Sequence, residues 1–269
     1  MRKKQASKID MFEIIPSLGH IEEYMALARQ YGLAFEYNDF FAPELLDDSH
    51  ALKERIRTYK SLGRPERVDT LHGVFYDILP FSYDSGIREH SIYRMQQSME
   101  IAEELGCRGV VFHTNFSPDF LNNEKYRQNW LECMRKVIMR LLSSGSCDIY
   151  LENMFDQSPD ELAEISASLQ EESRFGVCLD IAHMRLVTDQ PREWFRALAP
   201  YIKHFHMNDT HLKYDEHLAM GQGSIDWKEI EMLLEEFLLK DKSRLIEVSG
   251  LDKIRESLQY CQETGIIRQ

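Results

Sequence analysis

Residues 175–183 read FGVCLDIAH. A mostly apolar run of six ends on Asp180, and a second metal-ligand type, His183, follows three positions later. A run of that length and character reads as a strand buried on both faces. The neighbouring stretches repeat the design. Residues 147–152 read CDIYLE and end on Glu152; residues 201–206 read YIKHFH and end on His206. Working outward, further strands are expected near 9–15 (IDMFEII), 33–37 (LAFEY), 67–72 (RVDTLH), 108–113 (RGVVFH) and 244–248 (RLIEV), which makes eight.

Amphipathic stretches separate them. In 88–105, Ile92, Met95, Met99, Ala102 and Leu105 recur at steps of three and four and form one apolar stripe. Ser158-Pro159-Asp160-Glu161 has capping-box spacing, with proline at the first helical position, ahead of Leu162, Ile165 and Leu169. Asp226-Trp227-Lys228-Glu229 opens another expected helix, which carries Ile230, Leu233 and Phe237. Eight strand–helix units predict one α/β domain over residues 1–269, a closed parallel (β/α)8 TIM barrel. The alternative is an open doubly wound sheet. That fold normally has a glycine-rich phosphate turn after its first strand, and Pro16-Ser17-Leu18-Gly19 is not one.

The bulk numbers agree with an ordinary globular chain. Its 269 residues, 43% hydrophobic and 29% charged, suffice to bury a full core without staples. No apolar run is long enough to span a membrane, and the basic start Met1-Arg2-Lys3-Lys4 leads into no apolar signal core. Five cysteines (Cys107, Cys133, Cys147, Cys178, Cys261) are odd in number and lack CxxC spacing, which suits a reducing cytoplasm. The net charge of −13, with no basic face standing out, is a caution against a sequence-general nucleic-acid binder without excluding one.

The chemistry concentrates where a barrel of this kind places it, at the C-terminal ends of strands. Strands three to eight end at or near His72, His113, Glu152, Asp180, His206 and Glu247, and the second ends near Glu36. Beyond them lie His183 and the pair Asp215 and His217 in Asp215-Glu216-His217. Imidazole plus carboxylate without thiolate suits Zn²⁺ or Mn²⁺. Nine ligands exceed one ion's coordination and imply two or three ions with a bridging carboxylate.

These residues resemble the endonuclease IV branch (AP endonuclease family 2) of the xylose-isomerase-like barrels. The stretches that carry the resemblance are Leu71-His72-Gly73, Val111-Phe112-His113-Thr114, Leu151-Glu152-Asn153, Cys178-Leu179-Asp180-Ile181-Ala182-His183, His204-Phe205-His206-Met207-Asn208-Asp209, Asp215-Glu216-His217 followed by Gly221-Gln222-Gly223, and Ile246-Glu247. The resemblance implies three zinc ions. His72 and His113 hold the first, with Glu152 bridging to the second; Asp180, His206 and Glu247 complete the second; His183, Asp215 and His217 hold the third. It implies phosphodiester cleavage at abasic DNA sites, with Glu152 or Glu247 also orienting the attacking water as catalytic residues.

The chain departs from that pattern in two places. Pro16-Ser17-Leu18-Gly19-His20 replaces a glycine-rich segment, and Tyr37-Asn38-Asp39-Phe40-Phe41 stands where the endonucleases present basic, DNA-facing residues. A smaller phosphodiester or sugar phosphate is therefore weighed beside DNA as the substrate. Gly223-Ser224-Ile225-Asp226-Trp227 is similar to the sugar isomerases and epimerases of the same superfamily. On that alternative, Glu152, Asp180, His206 and Glu247 hold one Mn²⁺, Mg²⁺ or Co²⁺, and Glu152 and Glu247 form the acid–base pair. A third reading, a barrel that binds a carbohydrate or metal as a sensor, lacks any attached partner domain.

Each residue also has a plainer reading. The central four residues could be an ion-pair network, but three converging carboxylates without a cation repel one another. His72 and His113 could be hydrogen-bonded core or substrate-binding histidines. Asp215 and His217 could be ordinary loop polarity, and His183 could merely orient Asp180. His204 alternates with His206 and could exchange roles with it; His211 is a stray candidate, and His20, His50 and His90 read as surface positions. Phe40, Phe41, Phe75, Tyr76, Phe81 and Tyr83 either stack on a sugar or base or cap the barrel mouth.

Overall fold

In a computed structural model of the chain, which describes residues 12–117 and 123–267, eight parallel strands pair in sequence order and close into a barrel. The strands are β1 Phe12–Ile14, β2 Ala34–Tyr37, β3 Thr70–His72, β4 Gly109–His113, β5 Asp148–Glu152, β6 Phe175–Asp180, β7 Ile202–Met207 and β8 Ser243–Ile246. Pairing of β1 with β8 through Glu13 and Leu245 completes the ring. The helices are α1 Ile21–Tyr31, α2 Pro43–Asp47, α3 Ser49–Lys60, α4 Ser85–Leu105, α5 Glu124–Ser144, α6 Asp160–Ser168, α7 Ile181–Val187, α8 Pro191–Leu198, α9 Trp227–Glu236 and α10 Leu251–Glu263. No described helix is long and apolar enough to cross a membrane.

All eight expected strands form, several of them shorter than expected. Residues 9–11 of the first lie outside the described residues. The third begins at Thr70 because Arg67 turns through φ 62°, a left-handed conformation no strand contains. The eighth ends at Ile246, so Glu247 lies one residue past it, with its N–H still donating to the Met207 carbonyl. The seventh continues to Met207, so His206 is its penultimate residue.

The helical stripe of α4 packs as its spacing requires. Met95, Met99 and Ala102 are buried, and Ile92 and Leu105 pack at the core edge. Asp226 caps α9 by accepting from the N–H groups of Lys228 and Glu229. The capping box expected at Ser158 does not form. Helix α6 starts at Asp160 with Pro159 as its cap residue, and Glu161 instead accepts from Arg127 at 3.1 Å.

Strand period sorts the side chains. Residues two apart share the barrel interior: Thr70 and His72, Val111 and His113, Tyr150 and Glu152, Cys178 and Asp180, His204 and His206. Val111, Tyr150 and Cys178 form a small interior cluster separate from the main core between strands and helices. The barrel interior is thus largely polar, and its polar residues rise toward the C-terminal mouth.

Candidate metal centre

Nine side chains were expected at this mouth, and the fold brings all nine there. His72, His113 and Glu152, from adjacent strands, form the first group. His72 Nε2 and His113 Nε2 lie 3.2 Å apart, and they lie 3.6 and 3.5 Å from Glu152 Oε2. Ligands bonded at 2.0–2.1 Å to one tetrahedral ion would sit about 3.3 Å from each other, so the spacing suits a shared ion.

Glu152 also faces the second group. His206 Nδ1 is 3.3 Å from Glu152 Oε2 and 3.4 Å from Glu247 Oε1. Asp180 joins through His183, whose Nδ1 is 3.6 Å from Asp180 Oδ1 and 3.5 Å from Glu152 Oε1. In the third group Asp215 Oδ2 lies 3.3 Å from His183 Nε2 and 2.7 Å from His217 Nε2.

Backbone carbonyls fix the imidazoles. His72 Nδ1 is 3.0 Å from the Gly73 oxygen, His183 Nδ1 is 2.9 Å from the Asn153 oxygen, and His217 Nδ1 is 2.9 Å from the Glu247 oxygen. Each contact makes Nδ1 the donor and leaves Nε2 turned toward the centre, the arrangement that metal-binding histidines use. His217 reaches its place at φ 45°, a conformation that costs a non-glycine residue roughly 1 kcal/mol or more. Lys253 Nζ holds it there by donating to its carbonyl at 2.8 Å.

The electrostatics are those of acids and bases neutralising one another. Burial pushes His113 down to about 4, helped by the neighbouring His72 and His183. Burial pushes Asp180 up to about 8, with Glu247 and Glu152 adding repulsion and His183 opposing. Burial works against ionisation of Glu152 too, yet His206 and His113 hold its carboxyl well below the usual range. Burial likewise opposes the His217 charge, but Asp215 and Glu247 raise it to about 10.

Even so, the network leaves gaps. Both oxygens of Glu152, Asp180 Oδ2, Asp215 Oδ1 and His206 Nδ1 are buried without a hydrogen-bond partner. Orphaned buried acceptors cost about 1–3 kcal/mol each, and four carboxylates crowded together compound that cost. Divalent cations would satisfy these atoms at once, so the donor set fits metal.

Other expected residues fall elsewhere. His204 is fully buried one layer below His206 and contacts Ser243 Oγ at 2.6 Å and Glu36 Oε2 at 3.2 Å; it does not exchange with His206. His211 is exposed against Glu216, and His20, His50 and His90 are on the surface. Phe40 and Phe81 are buried in the core, and Tyr83 is exposed. Phe75 packs its ring 5.1 Å from His72 and 5.4 Å from His113, with Phe41 behind it at 4.8 Å.

Several residues outside the nine support them. Asn153 binds Asp180 twice through the backbone, at 2.9 and 3.1 Å. Asn208 Nδ2 donates to Glu247 Oε2 at 3.3 Å. Asp209 accepts four hydrogen bonds, three from the loop that carries Asp215 and His217 and one from Trp227 at the start of α9. Their signal is position: each lies within three residues past a strand-end ligand, Asn153 after Glu152, and Asn208 and Asp209 after His206.

Over the centre lies a cavity of about 540 Å³. His72, His113, His183, Asp215, His217 and Glu247 form its floor, and Phe75, Tyr76, Leu79, Met154 and Phe155 contribute its apolar lining. Asn38, Asn115, Ser117 and Asp77 supply the remaining polar contacts, and no Lys or Arg lines it among the described residues.

Comparison with known proteins shows the fold and family. An uncharacterized protein of Methanocaldococcus jannaschii is 26% identical over 210 residues, covering 72% of this chain and 71% of its own length. A probable endonuclease 4 of Chlorobium limicola is 24% identical over 182 residues, 60% of this chain and 61% of its own. Among solved structures, a Thermus thermophilus protein soaked with zinc chloride shares the fold at TM-score 0.76 and 23% identity, covering 97% of this chain and all of its own. A D-tagatose 3-epimerase-like protein does so at 0.75 and 22%, covering 96% and 98%. The family model described as xylose isomerase-like TIM barrel matches residues 25–266, nearly the whole chain, and the chain belongs to that family.

Proposed function

We propose that the chain is a metal-dependent phosphoester hydrolase that uses two or three zinc ions and acts on a small phosphodiester or sugar phosphate. The observation that carries this reading is the third group. Asp215 and His217 stand on a loop, yet Asp215 Oδ2 lies 3.3 Å from His183 Nε2 and 2.7 Å from His217 Nε2. A single-ion site on Glu152, Asp180, His206 and Glu247 has no use for them.

On this reading His72, His113 and Glu152 hold one ion, Glu152, Asp180, His206 and Glu247 a second, and His183, Asp215 and His217 a third. Bound ions would supply Lewis acidity toward phosphate oxygens and acidify a water for attack near neutral pH. The chain's own part is to orient and exclude. Glu152 and Glu247 are placed to accept a proton from a nucleophile in the cavity floor. Phe75, backed by Phe41, closes the His72 and His113 side against solvent. The net charge of −13 and the lack of Lys or Arg around the cavity among the described residues weigh against a DNA duplex and for a compact substrate.

The same lack of basic lining favours a second reading, a sugar isomerase or epimerase in which Glu152 and Glu247 move a proton between adjacent carbons of a metal-chelated substrate. Metal analysis separates the two. The hydrolase reading expects close to three zinc ions per chain and turnover of a simple phosphodiester such as bis(p-nitrophenyl) phosphate. One ion per chain, with solvent deuterium entering a ketose, would replace it with the isomerase.

A further inference from the structure

Glu36, next to last in β2, is a buried carboxylate that the nine-ligand set leaves unused. It is fully buried at the floor of the centre, and it is tied down from below. Its Oε2 lies 2.9 Å from Thr70 Oγ1 and 3.2 Å from His204 Nε2. Thr70 Oγ1 is in turn 2.5 Å from Glu13 Oε2, Glu13 is paired with Arg108, and His204 Nδ1 is 2.6 Å from Ser243 Oγ. The chain of contacts fixes the Glu36 carboxylate and sets its Oε1 3.2 Å from His206 Nε2, an ion-pair contact between two buried atoms that have no hydrogen-bonding partner.

His206 differs from the other histidines of the centre. His72, His113, His183 and His217 turn Nε2 toward it. His206 turns Nδ1, which faces Glu152 and Glu247 at 3.3 and 3.4 Å. A neutral imidazole protonates one nitrogen and leaves a lone pair on the other, and the partner of one nitrogen decides which. We infer that Glu36 is a positioning residue for the central ion: its fixed carboxylate keeps the His206 proton on Nε2 and so commits Nδ1 to the metal. No backbone carbonyl performs this task for His206, as carbonyls do for His72, His183 and His217.

The inference rests on the metal-centre reading, and the experiment separates the two. Zinc is titrated into the wild-type chain while ¹⁵N-edited spectra follow the His206 ring, assigned by comparison with His206→Gln. The expected result is a proton on Nε2 and zinc at Nδ1. The Glu36→Gln variant is then compared by chelator competition with zinc alone. It should bind the central ion 10- to 100-fold more weakly, in line with the usual cost of losing a partner behind a ligand. The ion on His183, Asp215 and His217 should be unaffected. A residue that only fills space would lower thermal stability without this selective loss. Equal zinc affinity in Glu36→Gln, or zinc on Nε2 in the wild type, overturns the inference while leaving the metal centre intact. Wild type that binds no zinc at His206 overturns both. If Glu36→Gln fails to fold, the wild-type tautomer decides.

Discussion

Replacing Asp209 by Asn tests how the third group is assembled. Asp209 is fully buried just past β7, at the root of the loop that carries Asp215 and His217. Its Oδ1 accepts from the N–H groups of Thr210 and Ile225 at 2.9 and 3.1 Å, and its Oδ2 accepts from Gly221 N–H and Trp227 Nε1 at 2.9 Å each. An amide keeps the shape and one oxygen, but turns an NH2 toward two of those donors. Two buried donors lose their acceptor, at about 1–3 kcal/mol apiece, so the variant should lose about 2–6 kcal/mol. A globular domain has only about 5–15 kcal/mol to lose, so the damage should show first as local release of the loop. Urea unfolding followed by tryptophan fluorescence reads the stability, and zinc analysis after dialysis reads the site. The expected variant unfolds at lower urea and retains the inner ions while losing the one on His183, Asp215 and His217. An unchanged midpoint together with full zinc content would refute the claim that Asp209 organises this loop.

Three further outcomes follow from particular contacts. A Cβ at Gly73 would stand 2.4 Å from Phe112 Cε1 and 2.9 Å from the Val111 carbonyl, so Gly73→Ala should displace the backbone beside His72, cost about 1–3 kcal/mol in thermal unfolding and weaken zinc binding at His72 and His113. His217 stands near 10 in the metal-free chain because Asp215 and Glu247 outweigh its burial, so it carries a proton at neutral pH that a metal must displace. Zinc binding should therefore release protons and tighten as pH rises toward 10, which calorimetry in buffers of different ionisation enthalpy measures. Burial raises Asp156 to about 6 from an ordinary 3.8, so its contribution to stability is complete below about 4 and lost as pH rises through 6. At about 1.4 kcal/mol per tenfold, that loss is about 3 kcal/mol, and Asp156→Asn should remove it, so urea midpoints of variant and parent should diverge between pH 4 and 7.

The barrel was legible because its signals are local. A short apolar run ending in His, Asp or Glu recurs along the chain, and strand period alone then puts Glu152, Asp180 and His206 in the interior. The ends of those runs were less legible. Nothing in RVDTLH says that Arg67 adopts φ 62° and delays β3, because that turn is set by packing against the helix before β4, where the Arg67 N–H donates to the Gly106 carbonyl. Helix α6 failed its expected cap for a similar reason: Glu161 is drawn to Arg127 on α5, a partner 34 residues away. Glu36 was visible as a strand end but not as a partner of His206, which is 170 positions along the chain. That pairing exists only once the barrel closes.

The metal-free centre is also an argument about where specificity resides. The fold forces Glu152, Asp180 and Glu247 together, holds Asp180 near 8 and leaves several of their oxygens unpartnered. In the cavity the charges of Asp77, Asp215 and Glu247 are offset by imidazoles such as His217, and among the described residues no Lys or Arg adds positive charge. On the proposed metal-dependent reading, the main attraction for a phosphate comes from ions in the floor rather than from the protein surface. On that reading anion affinity should follow metal content. Phosphate should protect the zinc-loaded protein against unfolding and do nothing for the metal-free one. A metal-free chain stabilised by phosphate would instead place an anion site outside the nine residues at the barrel mouth.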